Sequence, residues 1–264
     1  MKIGIFDSGL GGLIITHSLT QALPEYDYVY LGDTARVPYG NRSHDIIYKF
    51  TQQAIDFLFD RGCSLIIVAC NTASAEALRK LQDEYLPVHH PGNAVLGVLI
   101  PAAEAATAAT KTGRIGVLAT NATVASGAFE REIAKLLPNA EVTSAAAPLL
   151  VPLAENDAAK WAGPIINDYL SPLRGIDTLI LGCTHYPLFK DIIAAQMGPD
   201  VAIISQDEIV PPKVERYLDG HPALSAGLTQ HGSREFLVTD LTDQAVQLAA
   251  RLYGKSIDIE RVEL

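Results

Sequence analysis

The chain lacks any uninterrupted apolar run near the ~18 residues that suggest a membrane span. The runs Leu65–Cys70 and Leu179–Cys183 fall far short of it. No apolar leader with a small-residue cleavage site precedes the first strand-like stretch, so the cytoplasm is the expected compartment and no membrane is expected as a partner. Positive charge is also scarce. Lys and Arg number 20 against 30 Asp and Glu, a net charge of −10. The basic face that nucleic acid favours is missing, and nucleic acid is not expected as the main ligand. Cysteine is rare and odd in number, three in all. That excludes a disulfide framework in a chain with no export signal. With no Cys-x-x-Cys and no His-x-x-x-His spacing, no metal site is expected.

What is present is an ordinary core. Hydrophobic residues make up 48% of 264 positions, enough for one large unit or two modest ones. Short β-branched runs alternate with helix-period segments. Ile3–Asp7, Tyr28–Leu31 and Leu65–Ala69 read as strands; Gly11–Gln21, Asp45–Arg61 and Ala73–Glu84 read as the helices between and after them. The pattern then restarts. Val95–Leu99, Ile115–Leu118, Thr178–Leu181 and Val201–Ile204 read as strands, Ala102–Thr110 and Ala125–Leu137 as helices, and Leu86–Ala94 as a linker. This alternation predicts parallel, doubly wound sheets. Arg234–Val238 and Thr242–Tyr253 give the last ~55 residues one strand and one helix, too little for a domain alone at usual sizes.

A weak repeat organises the rest. Ile3-Gly4-Ile5-Phe6 is similar to Ile115-Gly116-Val117-Leu118, an offset of 112, and the stretch ending in Cys70 is similar to the one ending in Cys183, an offset of 113. Two similarities at nearly one offset predict two pseudo-symmetric lobes, residues 1–94 plus 207–264 and residues 95–206. The site then lies in the cleft between them, at the carboxyl ends of the strands.

Each cysteine in the repeat ends an apolar run and precedes a helix. A thiol at a helix N-terminus sees free N–H groups and the positive end of the dipole, and both lower its pKa from about 8.5. The plain alternative is a pair of buried structural cysteines. Their repeat-equivalent places beside Asn71-Thr72 and Thr184-His185 favour chemistry. Inverting a stereocentre needs a base on one face and an acid on the other, and paired thiols can fill both roles. Cys63 has no polar cluster beside it and reads as packing. Asp7-Ser8-Gly9-Leu10-Gly11-Gly12 makes a tight turn, yet Ile14 breaks a dinucleotide fingerprint and no Gly-Lys-Ser/Thr follows. Asp7 suits a helix cap or an assistant to a thiol equally well. His185 either tunes Cys183 or starts a helix. Glu155 reads as a solvated helix residue or an active-site acid, and Pro38-Tyr39-Gly40 as a turn. His89-His90 read as exposed.

Taken in order, DSGLGG at Asp7–Gly12, PYGNRS at Pro38–Ser43, ACNTAS at Ala69–Ser74 and GCTHYP at Gly182–Pro187 resemble the glutamate racemase family across nearly the whole chain. The resemblance implies a two-lobed α/β fold, no cofactor, glutamate as the small-molecule partner, and L-glutamate/D-glutamate interconversion that supplies peptidoglycan. It allows a homodimer. It implies Cys70 and Cys183 as the acid/base thiols, with Asp7 assisting the first, and His185 and Glu155 the second. Asp7, Ser8, Tyr39, Gly40, Asn71, Thr72, Thr184 and His185 take substrate-contacting places, and Thr120 and Thr123 match carboxylate-binding threonines. Ala119 replaces a usual Gly, and His89–Val95 looks like an insertion at the lobe junction. An aspartate racemase, a two-lobed binding protein, and a thiol hydrolase using Cys183 and His185 are the competing readings.

Overall fold

The computed structural model describes all 264 residues. Ten strands form two sheets. They are β1 (Lys2–Asp7), β2 (Tyr28–Gly32), β3 (Cys63–Val68), β4 (Ala94–Gly97), β5 (Arg114–Ala119), β6 (Glu141–Ala146), β7 (Thr178–Gly182), β8 (Ala202–Ile204), β9 (Arg234–Val238) and β10 (Glu260–Arg261). The first sheet runs β10-β9-β2-β1-β3-β4 and the second β6-β5-β7-β8. Every pairing is parallel.

Buried on both faces, β1 is apolar from Ile3 to Phe6. Ile3 and Ile5 turn towards Leu13, Ile15 and Leu19 of helix Gly12–Ala22, and Phe6 towards Ile55 and Leu58 of helix His44–Asp60. Each such side chain contributes about 1.5–3 kcal/mol by leaving water. The second sheet is built alike. Leu179 and Leu181 face helix Ala162–Leu170, and Ile180 faces helix Leu99–Ala109 and Phe129.

The two sheets share one local order, β2-β1-β3-β4 in the first and β6-β5-β7-β8 in the second. The repeated segments are therefore β1 with β5 and β3 with β7. In each sheet the chain winds outward in both directions from the gap between those two strands. That gap is the switch point where α/β sheets open a crevice for ligands.

Four features depart from the sequence reading. The division placed residue 95 onward in the second lobe, but Val95–Gly97 pairs with Ile66–Val68 in the first sheet. A four-residue strand with a restarting pattern carries no mark of which sheet it joins. The expected linker Leu86–Ala94 is helical over Leu86–His89, and the expected helix Ala73–Glu84 is broken into Asn71–Glu76, Leu78–Lys80 and a wider π turn, Leu81–Tyr85. The tail carries more than one strand and one helix. Helix Gln206–Gly220 packs on helix Gly12–Ala22, and β9 pairs with β2. No helix is long and apolar enough to cross a membrane.

Candidate active site

The carboxyl ends of β1, β3, β5 and β7 deliver Asp7, Cys70, Thr120 and Cys183 to one region. A cavity of about 380 Å³ opens there, bordered by Cys70 from the first sheet and Cys183 from the second. Ser8, Tyr39, Gly40, Asn71, Thr72, Thr120, Glu155, Thr184 and His185 also line it. Two expected contact residues stand behind its wall. Asp7 and Thr123 are 1% exposed and do not border the cavity.

Cys70 caps helix Asn71–Glu76, accepting from the Ala73 N–H at 3.4 Å, and its thiol donates to Ser8 Oγ at 3.2 Å. The sequence expectation of a lowered pKa fails here. Burial and then the nearby Asp7 carboxylate push the Cys70 thiol up to about 12, against the smaller pull of Ser8 and the Ala73 N–H. A helix of six residues aligns too few peptide dipoles to offset the loss of water. Cys63 is a buried packing residue whose thiol burial also pushes up to about 12.

The Cys183 side is built differently. Its sulfur lies 4.0 Å from His185 Nδ1. On the other side of the ring, Nε2 stands 3.2 Å from Glu155 Oε1, close enough for an ion pair but out of line for a hydrogen bond. Burial alone would push His185 down. The bond to Cys183 and the Glu155 carboxylate together outweigh it and hold the imidazolium up to about 10. Glu155 ends helix Leu150–Glu155, so the pair spans two elements of the second lobe.

Asp7 joins the halves. Its Oδ2 accepts from the Gly9 N–H at 3.0 Å and its Oδ1 from Thr184 Oγ1 at 3.5 Å. Burial raises its pKa, opposed by the positive His185. The turn after it fits tightly. A Cβ on Gly11 would lie 2.4 Å from Thr184 Oγ1, so this glycine is the price of bringing the β1 turn against the β7 turn. A Cβ on Gly40 would likewise lie 3.0 Å from the Thr120 Cβ.

Hydroxyls complete the wall. Thr72 Oγ1 lies 2.9 Å from Thr120 Oγ1, which lies 3.0 Å from Thr123 Oγ1. Thr123 thus orients the cavity threonines from behind. The Tyr39 hydroxyl is turned away, donating to Asp33 Oδ2 at 2.5 Å, so this side chain offers the cavity its ring. No Lys or Arg borders the cavity; Glu155 and His185 are its only ionisable groups besides Tyr39 and the thiols. Three contributors escaped the sequence reading. Asn41 and Asn121 face each other across the lobes at 3.4 Å, and Tyr30 supports the β1 turn by donating to the Gly9 carbonyl at 2.7 Å. Asn41 lay within a quoted motif; Tyr30, one aromatic in an apolar strand, carried no signal.

Fold and site together define a two-lobed α/β enzyme with a buried thiol from each lobe on one cavity. The match to known proteins agrees. The family model described as Asp/Glu/Hydantoin racemase matches residues 3–210, and the chain belongs to that family. It is 40% identical to a glutamate racemase of Geobacter metallireducens over 99% of this chain and 96% of that one. Among solved structures it is similar to a glutamate racemase isoform of Bacillus anthracis, with TM-score 0.91 and 34% identity over 100% and 97% of the two chains. It is also similar to the Francisella tularensis glutamate racemase in complex with D-glutamate, with TM-score 0.89 and 33% identity over 99% and 97%. The resemblance drawn from the four motifs holds across the chain.

Proposed function

We propose that this enzyme interconverts L-glutamate and D-glutamate with two thiols and no cofactor or metal, and that in the cytoplasm it supplies D-glutamate for peptidoglycan. The observation that carries the reading is the placement of Cys70 and Cys183, one from each lobe, on a single cavity that hydroxyl and amide side chains also line. The glutamate racemases it is similar to support the choice of substrate.

One sulfur, as thiolate, takes the Cα proton. The C–H electron pair stays on the substrate as a carbanion, and the other sulfur, as thiol, returns a proton to the opposite face. The two sulfurs end with exchanged protonation states, ready for the reverse reaction. The surroundings of the two sulfurs differ. Cys70 is kept a neutral thiol, and the Cys183 sulfur lies 4.0 Å from Nδ1 of the positively charged His185. Asp7 and the His185–Glu155 pair are proposed to hold and pass protons for the two sides. Ser8, Asn71, Thr72, Thr120 and Thr184 would bind the substrate's charged groups through hydroxyl and amide donors, Tyr39 and Gly40 would shape the wall, and Thr123 would act through Thr120 and Thr72.

The test is incubation with L-glutamate in deuterated water without added cofactor. D-Glutamate should appear with deuterium at Cα. Faster racemisation of aspartate than of glutamate would overturn the substrate, and no exchange with either would overturn the chemistry.

A further inference from the structure

Gln206 lies outside every motif, yet its side chain reaches the cavity wall. It opens helix Gln206–Gly220, directly after β8 of the second sheet, and is 1% exposed. Its amide pairs with that of Asn71, the first residue of the helix after β3 in the other lobe. Asn71 Nδ2 donates to Gln206 Oε1 at 2.6 Å, and Gln206 Nε2 donates back to Asn71 Oδ1 at 2.5 Å. Asn71 is itself buried and borders the cavity.

A reciprocal amide pair fixes more than distance. An Asn amide turned by half a rotation exchanges its donor and acceptor, so the same atoms present opposite hydrogen-bonding character. The pair uses one N–H and one carbonyl lone pair of Asn71 and leaves one of each. Turning Asn71 alone would set N–H against N–H and C=O against C=O, which a buried pair cannot tolerate. We infer that Gln206 is a positioning residue for substrate binding: it locks the Asn71 amide so that the remaining N–H is offered to a substrate carboxylate, and ties that orientation to the junction of the two lobes. The inference rests on the proposed racemase reading.

The test compares Gln206→Met, Gln206→Glu and Lys213→Met with the unaltered enzyme, measuring kcat, KM for glutamate and the thermal midpoint. Lys213 lies on the same helix and pairs with Glu104 of the second lobe at 2.6 Å, away from the catalytic cavity. Gln206→Met keeps length and removes both bonds. KM should rise at least about tenfold, the scale of a lost hydrogen bond to a charged group, with a smaller change in kcat. Lys213→Met should leave KM unchanged. Gln206→Glu keeps the shape and an acceptor for the Asn71 N–H, and decides the matter if the Met variant does not fold; its KM should also rise. A folded Gln206 variant with unaltered KM would overturn the inference, as would a Lys213→Met variant that raises KM equally, because the effect would then be general loosening of the helix. Absence of turnover by the unaltered enzyme would instead defeat the racemase reading.

Discussion

Replacing Gly11 with alanine sets two effects of opposite sign against each other. The backbone at Gly11 has φ −59° and ψ −33°, an ordinary right-handed helical conformation. Alanine fits it without strain, and by restricting the unfolded chain should stabilise by about 0.4–1 kcal/mol. Against that, the new Cβ would lie 2.4 Å from Thr184 Oγ1, 2.6 Å from His185 Nδ1 and 2.7 Å from His185 Cε1. Ordinary contact lies at about 3.5–4 Å, so the Thr184 and His185 side chains must give way by about 1 Å. Overpacking of this kind costs about 1–3 kcal/mol, which outweighs the gain. A net loss of about 1 kcal/mol corresponds to a melting point lower by about 2–4 °C. The effect on turnover should be larger. The displaced His185 ring is the partner of Cys183, and misplacing a catalytic group by about 1 Å costs about 100-fold in rate. Racemisation followed by circular dichroism, with melting followed by fluorescence, reads both quantities. Gly163→Ala is the control. Its Cβ would meet nothing within 4 Å, and it should gain stability with full activity. A Gly11→Ala enzyme that melts higher and racemises normally would refute the claim that the turns meet through this glycine.

Three further outcomes are expected. Cys70→Ala and Cys183→Ala should each remain folded and lose racemisation, while retaining one-sided elimination from opposite enantiomers of a β-substituted glutamate; near-normal racemisation by both folded variants refutes the two-thiol reading. Glu155→Gln should lower the pKa of His185. Because that pKa is raised from 6.5 to about 10 on folding, the pairing stabilises fully below about pH 6.5 and its contribution is lost as pH rises through about 10. Melting points across that interval should therefore depend less on pH in the variant, and an unchanged dependence counts against the His185–Glu155 pair. Dialysis against chelator and treatment with borohydride should leave activity intact; loss in either would show a metal or a carbonyl cofactor at work.

Much of the site was legible because its residues sit at repeated strand ends. The two cysteines follow from the near-constant offset, the β1 turn, Thr72 and Thr184 from the motifs, and Thr120 and Thr123 from the family resemblance alone. What escaped was decided in three dimensions. β6 has alternating half-exposed residues and no apolar run, so Glu141–Ala146 gave no strand signal although it occupies the place of β2 in the second sheet. The helix beginning at Gln206 contains Pro211 and Pro212, which disguised it. The direction of the Cys70 shift depended on burial, which composition cannot supply. His185 has a neighbour visible in the sequence and another, Glu155, brought from 30 positions away by the packing of helix Leu150–Glu155.

The order of the strands has a consequence for biosynthesis. Because the second sheet is inserted between β4 and β9, its last strand, β8, emerges from the ribosome before β9 and β10 exist. The inserted lobe can close its own sheet while the first still has only β1 to β4, with the edge of β2 unpaired. That edge, Tyr28–Gly32, is buried along its whole length in the finished protein. An unprotected apolar edge is a template for the wrong partner, including the same strand of another nascent chain. Translation of the final segment, from Arg234 through Arg261, is thus the step that removes the hazard, and chains stalled before it would be the ones requiring a chaperone.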